Sequence, residues 1–148
     1  PPRPEDGDLA PFHEPVTAPE IETTTLAPSE HDWRVTRDLA TDVSTLEIVN
    51  DQGAFRIEET GTVVRRSTTE WYSFRWDDPT SVRGETRTVR RLERDDWRTE
   101  VVTTTVLTCT EDEFIIRADL DAYELDDVRG HRRVHSESWD RAIPRDLV

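Results

Sequence analysis

The fold is decided by residues 97–122, which read WRTEVVTTTVLTC at 97–109, TEDE at 110–113 and FIIRADLDA at 114–122. β-Branched and aromatic residues dominate both outer pieces, and such residues favour strands. Alternate residues of a strand point to opposite faces. One face of the first piece therefore carries Trp97, Thr99, Val101, Thr103, Thr105, Leu107 and Cys109, and one face of the second carries Phe114, Ile116, Ala118, Leu120 and Ala122. The acidic turn between them predicts an antiparallel pair of strands.

The rest of the chain has the same β texture. Runs rich in Val, Thr, Ile and Trp alternate with turn residues, and no segment of twelve residues shows the apolar period of a helix. The runs lie at residues 34–39, 43–50, 54–58, 62–69, 71–76, 85–92 and 132–139, with turns expected at 50–53, 60–61, 77–79 and 93–96. We predict an all-β fold. It is an antiparallel meander of about seven or eight strands whose coiled sheet closes into a barrel or half-barrel, of lipocalin-like shape.

A change of composition near residue 30 predicts two parts. Seven of the nine prolines lie within residues 1–28, and spaced prolines prevent continuous helix and remove donors from sheet ladders. Residues 1–30 are therefore expected to be an extended linker, or a strap across a companion domain, and residues 31–148 to be the β domain. Because the chain opens with Pro1 and contains no methionine, we expect it to be a processed product or a piece of a longer protein.

The charge composition is extreme. Nineteen arginines and no lysine stand against 33 Asp and Glu, for a formal net charge of -14. This pattern resembles proteins of halophilic microbes that keep molar salt in the cytoplasm, where the Debye length is roughly 3 Å at about 1 M salt. An acidic chain is a poor partner for nucleic acid or for anionic membranes. No apolar run approaches the roughly 20 residues of a membrane helix, so a cytoplasmic setting is expected.

No catalytic motif is present. None of the five glycines flanks a serine as the G-x-S-x-G elbow requires, and phosphate-binding loops need clustered glycines and usually a lysine. The single cysteine, Cys109, has His131 or His135 as a candidate base. Its place at the end of an apolar strand favours a structural cysteine instead. We therefore expect no catalytic residue and no cofactor in this chain.

Two groups of potential metal ligands are weak. His131 and His135 are four residues apart and are expected to share a strand face near Glu137 or Asp140, but no third ligand is fixed. The second group lacks the EF-hand order with its central glycine. It consists of Asp119, Asp121, Glu124, Asp126 and Asp127. Such clusters arise from composition alone in so acidic a chain, and no metal site is predicted.

Aromatic residues are numerous for so polar a domain, and core packing is expected for most of them. Trp71, Phe74 and Trp76 cannot all face one way on a flat strand. Either both faces of that strand are covered or one ring is exposed. An exposed ring would mark a docking surface for the missing part of a parent protein.

Six segments carry a resemblance to a known family: PPRPED at 1–6, EWYS at 70–73, DDPTSVRGE at 77–85, LTC at 107–109, LDAYE at 120–124 and WDRAIPRDLV at 139–148. They resemble the far C-terminal segment of CocE/NonD-type hydrolases, the relatives of X-Pro dipeptidyl-peptidase and cocaine esterase. The resemblance covers essentially the whole chain. It implies an α/β-hydrolase core with a Ser-His-Asp triad and a jelly roll upstream, followed by this chain as a further β appendage. None of the family's catalytic positions maps onto this chain.

Two functions from different classes remain open. The first is a non-catalytic accessory domain of a serine hydrolase, which packs on the catalytic part or on an oligomer partner. The second is a free-standing β-barrel that binds a small apolar ligand. An upstream reading frame that encodes the G-x-S-x-G elbow would favour the first, and a large apolar interior would favour the second.

Overall fold

The computed structural model describes residues 17–126 and 130–146, and these residues form eight β-strands and no helix. The strands are β1 (Thr23–Ala27), β2 (Glu30–Asp38), β3 (Val43–Ile57), β4 (Thr62–Arg75), β5 (Asp78–Arg94), β6 (Trp97–Cys109), β7 (Glu113–Asp126) and β8 (Gly130–Pro144). All their pairings are antiparallel. The predicted all-β antiparallel meander is therefore confirmed. Of the expected linker, residues 1–16 lie outside the described residues, and the later part contains β1.

From β3 to β8 each strand pairs with the next along the chain. The start of the sheet differs, because β1 and β2 both pair with β3. β2 lies along residues 43–51 and β1 along residues 54–57, so the two shorter strands lie end to end on one edge of β3. β8 forms the other edge. No pairing joins β8 to β1 or β2 in the described residues, so the sheet is open and does not close into a barrel.

A β-bulge in β3 takes the place of the hairpin turn predicted at residues 50–53. The register shifts between Asp51 and Ala54, and Gly53 has a φ of 67°, which glycine adopts at no steric cost. Asp51 Oδ1 accepts a hydrogen bond from the Gly53 amide at 2.7 Å. A Cβ at position 53 would lie 2.3 Å from the carbonyl oxygen of Ala27. The prediction of a turn was wrong because the glycine bends the strand without reversing it, and the absent side chain lets the end of β1 approach.

The turn between β4 and β5 is shorter than predicted. Only Trp76 and Asp77 separate the two strands, and Pro79 is the second residue of β5. Proline is tolerated at the start of a strand, where its missing donor disturbs the ladder least. The Ser81 hydroxyl donates to the Asp78 carbonyl at 2.5 Å and accepts from the Arg75 amide at 2.8 Å. These bonds close the corner, so β5 begins at Asp78 and not at residue 85.

The register divides the sheet into two faces. The alternating residues predicted for β6 and β7 lie on the same face, because Leu107 is opposite Ile116 and Cys109 is opposite Phe114. We call it the apolar face. Its large apolar side chains are Trp33 and Val35 on β2; Leu46, Ile48, Phe55 and Ile57 on β3; Val64, Tyr72 and Phe74 on β4; Leu92 on β5; Trp97, Val101 and Leu107 on β6; Phe114, Ile116 and Leu120 on β7; and Trp139 and Ile143 on β8.

The opposite side of the sheet, the charged face, is crossed by ion pairs between neighbouring strands. These pairs are Arg34–Glu47 at 3.7 Å, Arg91–Glu100, and Arg133–Asp121 at 3.2 Å. Trp71 also lies on this face, and its indole N–H donates to Glu47 Oε2 at 2.7 Å. Arg34–Glu47 and Arg133–Asp121 lie largely in solvent, and such pairs contribute about 0–1 kcal/mol each, whereas the Arg91–Glu100 pair involves a buried carboxylate.

Neither face carries a second layer within the described residues. Ala54 is the only buried apolar side chain, at 1% exposure, and Glu100 is the only buried charged one, at 6%. A sheet normally buries at least one face against another layer of structure. The described chain therefore presents an apolar face, interspersed with charged residues such as Arg66, Glu70, Arg90 and Glu137, that no other described element covers.

Candidate docking face

The apolar face contains two apolar areas. The first lies on β6, β7 and β8, where cross-strand neighbours form the rows Leu107–Ile116, Thr103–Leu120 and Cys109–Phe114–Ile143. The second lies on β2 to β5, with the rows Trp33–Ile48, Val35–Leu46–Tyr72 and Phe55–Val64–Leu92. Side chains directly opposite in an antiparallel pair contact one another. Charged residues of the same face border these rows, since Ile48 is opposite Glu70 on β4 and Leu120 is opposite Glu137 on β8. Each area is therefore a set of apolar rows with charged neighbours.

A row of threonines lies between the two areas. Thr88 is opposite Thr68 on one side and Thr103 on the other, and Thr86 is opposite Thr105. The hydroxyl oxygens of Thr68 and Thr88 are 3.3 Å apart, a hydrogen bond between neighbouring strands. Threonine favours strands and presents a methyl group beside its hydroxyl. The row joins the two areas with small side chains that leave room for an approaching surface.

Tyr72 covers the one glycine inside the sheet on this face. Gly84 lies directly opposite it, and a Cβ added at Gly84 would be 3.5 Å from the tyrosine ring. The Tyr72 hydroxyl donates to Glu70 Oε2 at 3.1 Å. Partial burial, and then the neighbouring Glu70 carboxylate, raise the pKa of Tyr72. The phenol therefore stays neutral at ordinary pH, and the ring remains part of the apolar surface.

Large side chains on this face are open to solvent. Trp33 is 73% exposed, Trp97 47% and Leu107 37%. Trp139 and Phe74 are exposed on the same face. Extended exposed apolar surface marks interaction sites in natural proteins, and tryptophan and tyrosine are enriched there. The apolar face is therefore the candidate docking surface of this chain.

The expected core packing of most aromatic rings is wrong for this chain by itself. A single sheet has no second layer to enclose the rings, and Trp76 in the β4–β5 turn is also exposed. Trp71 points to the charged face while Phe74 points to the apolar face. Of the two outcomes foreseen for the segment 71–76, exposed rings are the one observed.

Cys109 is not placed beside a histidine. Cys109 lies opposite Phe114 near the start of β7, whereas His131 lies opposite Leu125 near its end. At about 3.3 Å per residue, the eleven positions between Phe114 and Leu125 correspond to roughly 35 Å. The Cys109 thiol instead donates to the carbonyl oxygen of Pro79 at 3.5 Å. The Cys–His pair considered from the sequence is therefore not brought together.

His131 and His135 lie on opposite faces, which corrects the expectation that they share one. The register of β7 and β8 shifts between Ala122 and Tyr123, which leaves Val134 as an extra residue in β8. A bulged residue reverses the alternation beyond it. His131 consequently packs near Tyr123, with ring centroids 6.2 Å apart, while His135 lies 3.6 Å from Glu137 on the other face.

The carboxylates considered as a cation site are engaged by arginine and serine. Asp119 accepts hydrogen bonds from Ser138 at 2.5 Å and from Arg117 at 3.1 Å, and these two bonds, the serine first, lower the pKa of Asp119. Asp121 pairs with Arg133 and Glu124 with Arg132. Asp127 lies outside the described residues. In the described part of the chain no three His, Cys, Asp or Glu residues are grouped closely enough to hold a metal ion.

Comparisons with protein-family models, with curated proteins and with solved structures find no match to this chain. Within residues 17–126 and 130–146 there is also no helix of the length and apolarity needed to cross a membrane. The resemblance to CocE/NonD-type hydrolases therefore stays a prediction. The geometry of the apolar face is what remains to support a function.

Proposed function

We propose that this chain is a non-catalytic β module that docks its apolar face on a companion protein body. One observation carries the proposal: an apolar face of eighteen large side chains, defined above by strand register, has no second layer within the described residues. Burying apolar surface contributes about 25 cal/mol per Å². A companion body that covers this face would therefore supply the stabilisation that a second layer supplies in an ordinary domain.

The companion proposed is the catalytic α/β-hydrolase part of the same parent chain. This choice rests on the resemblance of six segments to the C-terminal end of CocE/NonD-type hydrolases. The parent would then be a serine hydrolase of X-Pro dipeptidyl-peptidase or esterase type, and its catalytic triad would lie outside this chain. It would function in a cytoplasm rich in salt. The separation of Cys109 from His131 agrees with a module that contributes no nucleophile.

The test compares two substitutions that differ in face but hardly in exposure. Leu107 on the apolar face is 37% exposed and Ile115 on the charged face is 38% exposed, and the two residues lie on neighbouring paired strands. In the product of the complete reading frame, we expect Leu107→Glu to lower the melting temperature and to detach the module. Ile115→Glu is the matched control and should do neither.

Attachment can be followed by limited proteolysis and by tryptophan emission, since Trp33, Trp97 and Trp139 lie on the apolar face. Docking should shift the emission of these residues to shorter wavelength relative to this chain expressed alone. Equal effects of the two glutamate substitutions would contradict the proposal. A complete reading frame without a G-x-S-x-G elbow would contradict the hydrolase companion while leaving the docking face to be tested by self-association in sedimentation.

The alternative of a free-standing barrel for an apolar ligand stays a prediction. The described strands form an open sheet, and arginines and carboxylates are prominent in the lining of a cavity of about 350 Å³ on the charged face. Neither feature favours an enclosed apolar interior.

A further inference from the structure

A cavity of about 350 Å³ opens on the charged face, on the side of the sheet away from the proposed docking surface. Ser67 on β4 and Val89 on β5 are directly opposite one another and form its floor. Ala27 and Pro28, at the end of β1, and Asp51, opposite Ser67 on β3, line the sides. With Glu100 on β6, the lining residues come from five strands, so the cavity does not depend on a single loop.

Four arginines line the cavity, and three of them, all but Arg66, belong to the charged face by register. Arg65 on β4 and Arg91 on β5 lie directly opposite one another. On the charged face they form the cross-strand pair next to Ser67 and Val89. Arg87 lies on the other side of Val89. Like charges directly opposite in an antiparallel pair destabilise the sheet. The Arg65–Arg91 pair therefore brings two guanidinium groups together, and only Arg91 has a carboxylate partner, Glu100.

Buried Glu100 holds one of these arginines in place. Glu100 is 6% exposed, and its carboxylate accepts a hydrogen bond from Arg91 Nε. A guanidinium has five N–H donors, so the terminal nitrogens of Arg91 are still able to bind an acceptor in the cavity. The pair combines a fixed geometry with spare donors, which is the arrangement that bidentate recognition of an oxyanion uses.

The other two charged-face arginines at the cavity have no carboxylate of their own. Neither Arg65 nor Arg87 forms an ion pair or a side-chain hydrogen bond with any described residue. The two carboxylates at the cavity are already engaged, Asp51 by the Gly53 amide at 2.7 Å and Glu100 by Arg91. In a chain with 33 acidic residues and 19 arginines, two unpaired arginines beside a third leave a local excess of positive charge.

We propose that this cavity binds a small molecule through a phosphate or carboxylate group held between Arg65 and Arg91. The oxyanion would neutralise the facing guanidinium groups, accept hydrogen bonds from both, and lie within reach of the Ser67 hydroxyl and Arg87. The rest of the molecule would lie against Val89, Ala27 and Pro28. The site and the docking surface occupy opposite faces of the sheet, so each is tested without the other.

The test measures binding of inorganic phosphate and of succinate to the complete protein by isothermal titration calorimetry and by thermal shift. Sodium chloride at equal ionic strength is the baseline. We expect Arg65→Gln to weaken binding about tenfold or more, because a charge-assisted bidentate contact is lost. Arg90→Gln is the matched control. Arg90 also has no ion pair with a described residue, but it lies on the apolar face, whereas its neighbour Arg91 lies on the charged face. This substitution should leave the affinity unchanged.

A second readout separates a binding site from a purely structural effect. Without anion, Arg65→Gln should raise the melting temperature because it removes the facing like charge. With anion, the mutant should gain less stability than the unmutated protein. Comparison of the affinity for phosphate with the affinity for succinate shows which oxyanion the cavity prefers. The proposal is overturned if neither anion binds more tightly than chloride, or if Arg65→Gln and Arg90→Gln reduce affinity equally. Leu107→Glu should leave anion binding intact even if docking is lost.

Discussion

Asp78 shows how single side chains fix the corners of this sheet. Its carboxylate accepts hydrogen bonds from the Thr80 hydroxyl at 2.6 Å, from the Thr80 amide at 2.9 Å and from Arg75 at 2.5 Å. These donors, the Thr80 hydroxyl first, favour the ionised form and lower the pKa of Asp78 from its ordinary 3.8 to about 2. Since the unfolded chain takes up the proton at the higher pH, the stabilisation is complete above about pH 4. It is lost as the pH falls towards 2.

Replacing Asp78 by asparagine should therefore flatten the acid side of the stability curve. We expect the melting temperature of Asp78→Asn to fall less steeply between about pH 4 and about pH 2 than that of the unmutated protein. Asp96→Asn is the control, because Asp96 is also a turn carboxylate but has no hydrogen bond or ion pair with a described residue. Identical pH slopes for the two variants would show that the corner bonds do not hold the Asp78 charge.

At the scale of an element, the bulge in β3 lets one strand serve two partners. Gly53 and Gly61 both have a φ of 67°, but only Gly53 is crowded, by the carbonyl oxygens of Ala27 and Pro28. Gly61→Ala should cost about 1–2 kcal/mol, because the left-handed conformation disfavours a side chain. Gly53→Ala should cost more, because the new Cβ also displaces the end of β1.

Denaturant unfolding measures both losses, and hydrogen exchange of the amides in β1 reports its release. Faster exchange at β1 in Gly53→Ala, with Gly61→Ala unchanged there, is the expected result. Equal free-energy losses in the two variants would mean that β1 contributes nothing to holding the bulge.

Strands were predictable where alternation is unbroken and not where a bulge interrupts it. β6 has the predicted bounds, Trp97–Cys109, because β-branched residues fill it and no bulge interrupts its register. The residues Asn50 to Gly53 could be read as a turn because a turn and a bulge both use a glycine with positive φ. The extra residue Val134 has no signal in the sequence, so strand alternation alone predicts that His131 and His135 share one face. The sequence does not show that Arg65 and Arg91 are neighbours, because only the register of β4 and β5 places them opposite one another.

At the scale of the whole molecule, the net charge of -14 opposes compaction in dilute buffer. Raising KCl from about 0.1 to about 2 M shortens the Debye length from about 10 Å to below about 3 Å. We therefore expect the melting temperature to rise steeply over this range. The exposed ion pairs that the salt also weakens contribute little by comparison.

A variant with fewer unpaired charges tests this explanation. Asp95→Asn, Asp96→Asn and Glu111→Gln together remove three carboxylates from the turns, none of them in an ion pair with a described residue. The combined variant should be more stable in low salt and less dependent on KCl. Flat melting temperatures across the salt series would show that the acidic surface is no adaptation to salt.

The sequence predicted the apolar alternation of β6 and β7 and the all-β class, but not the single layer. Alternation shows which side chains of a strand prefer burial. It does not show what buries them, because that body contributes no residues to the pattern. Leu107 and Phe114 would read the same inside a barrel, in a two-layer domain or against a companion. Only the open pairing of the strands distinguishes these cases.

Within residues 17–126 and 130–146, no further strand pairs with the outer edge of β8 or with the outer edges of β1 and β2. An unpaired edge is able to pair with a strand of another copy. Pairing of β8 in one copy with the β1–β2 edge of the next would be a head-to-tail contact, which does not close on itself. β8 is exposed along its whole length, and it carries charged residues such as Arg132, Arg133, Glu137 and Asp140, which in natural proteins protect edge strands from pairing with another chain. Because Val134 is an extra residue in β8, the backbone N–H and C=O groups along the outer edge of this strand do not alternate regularly. The bulge and the charges together oppose the pairing of this edge with another copy.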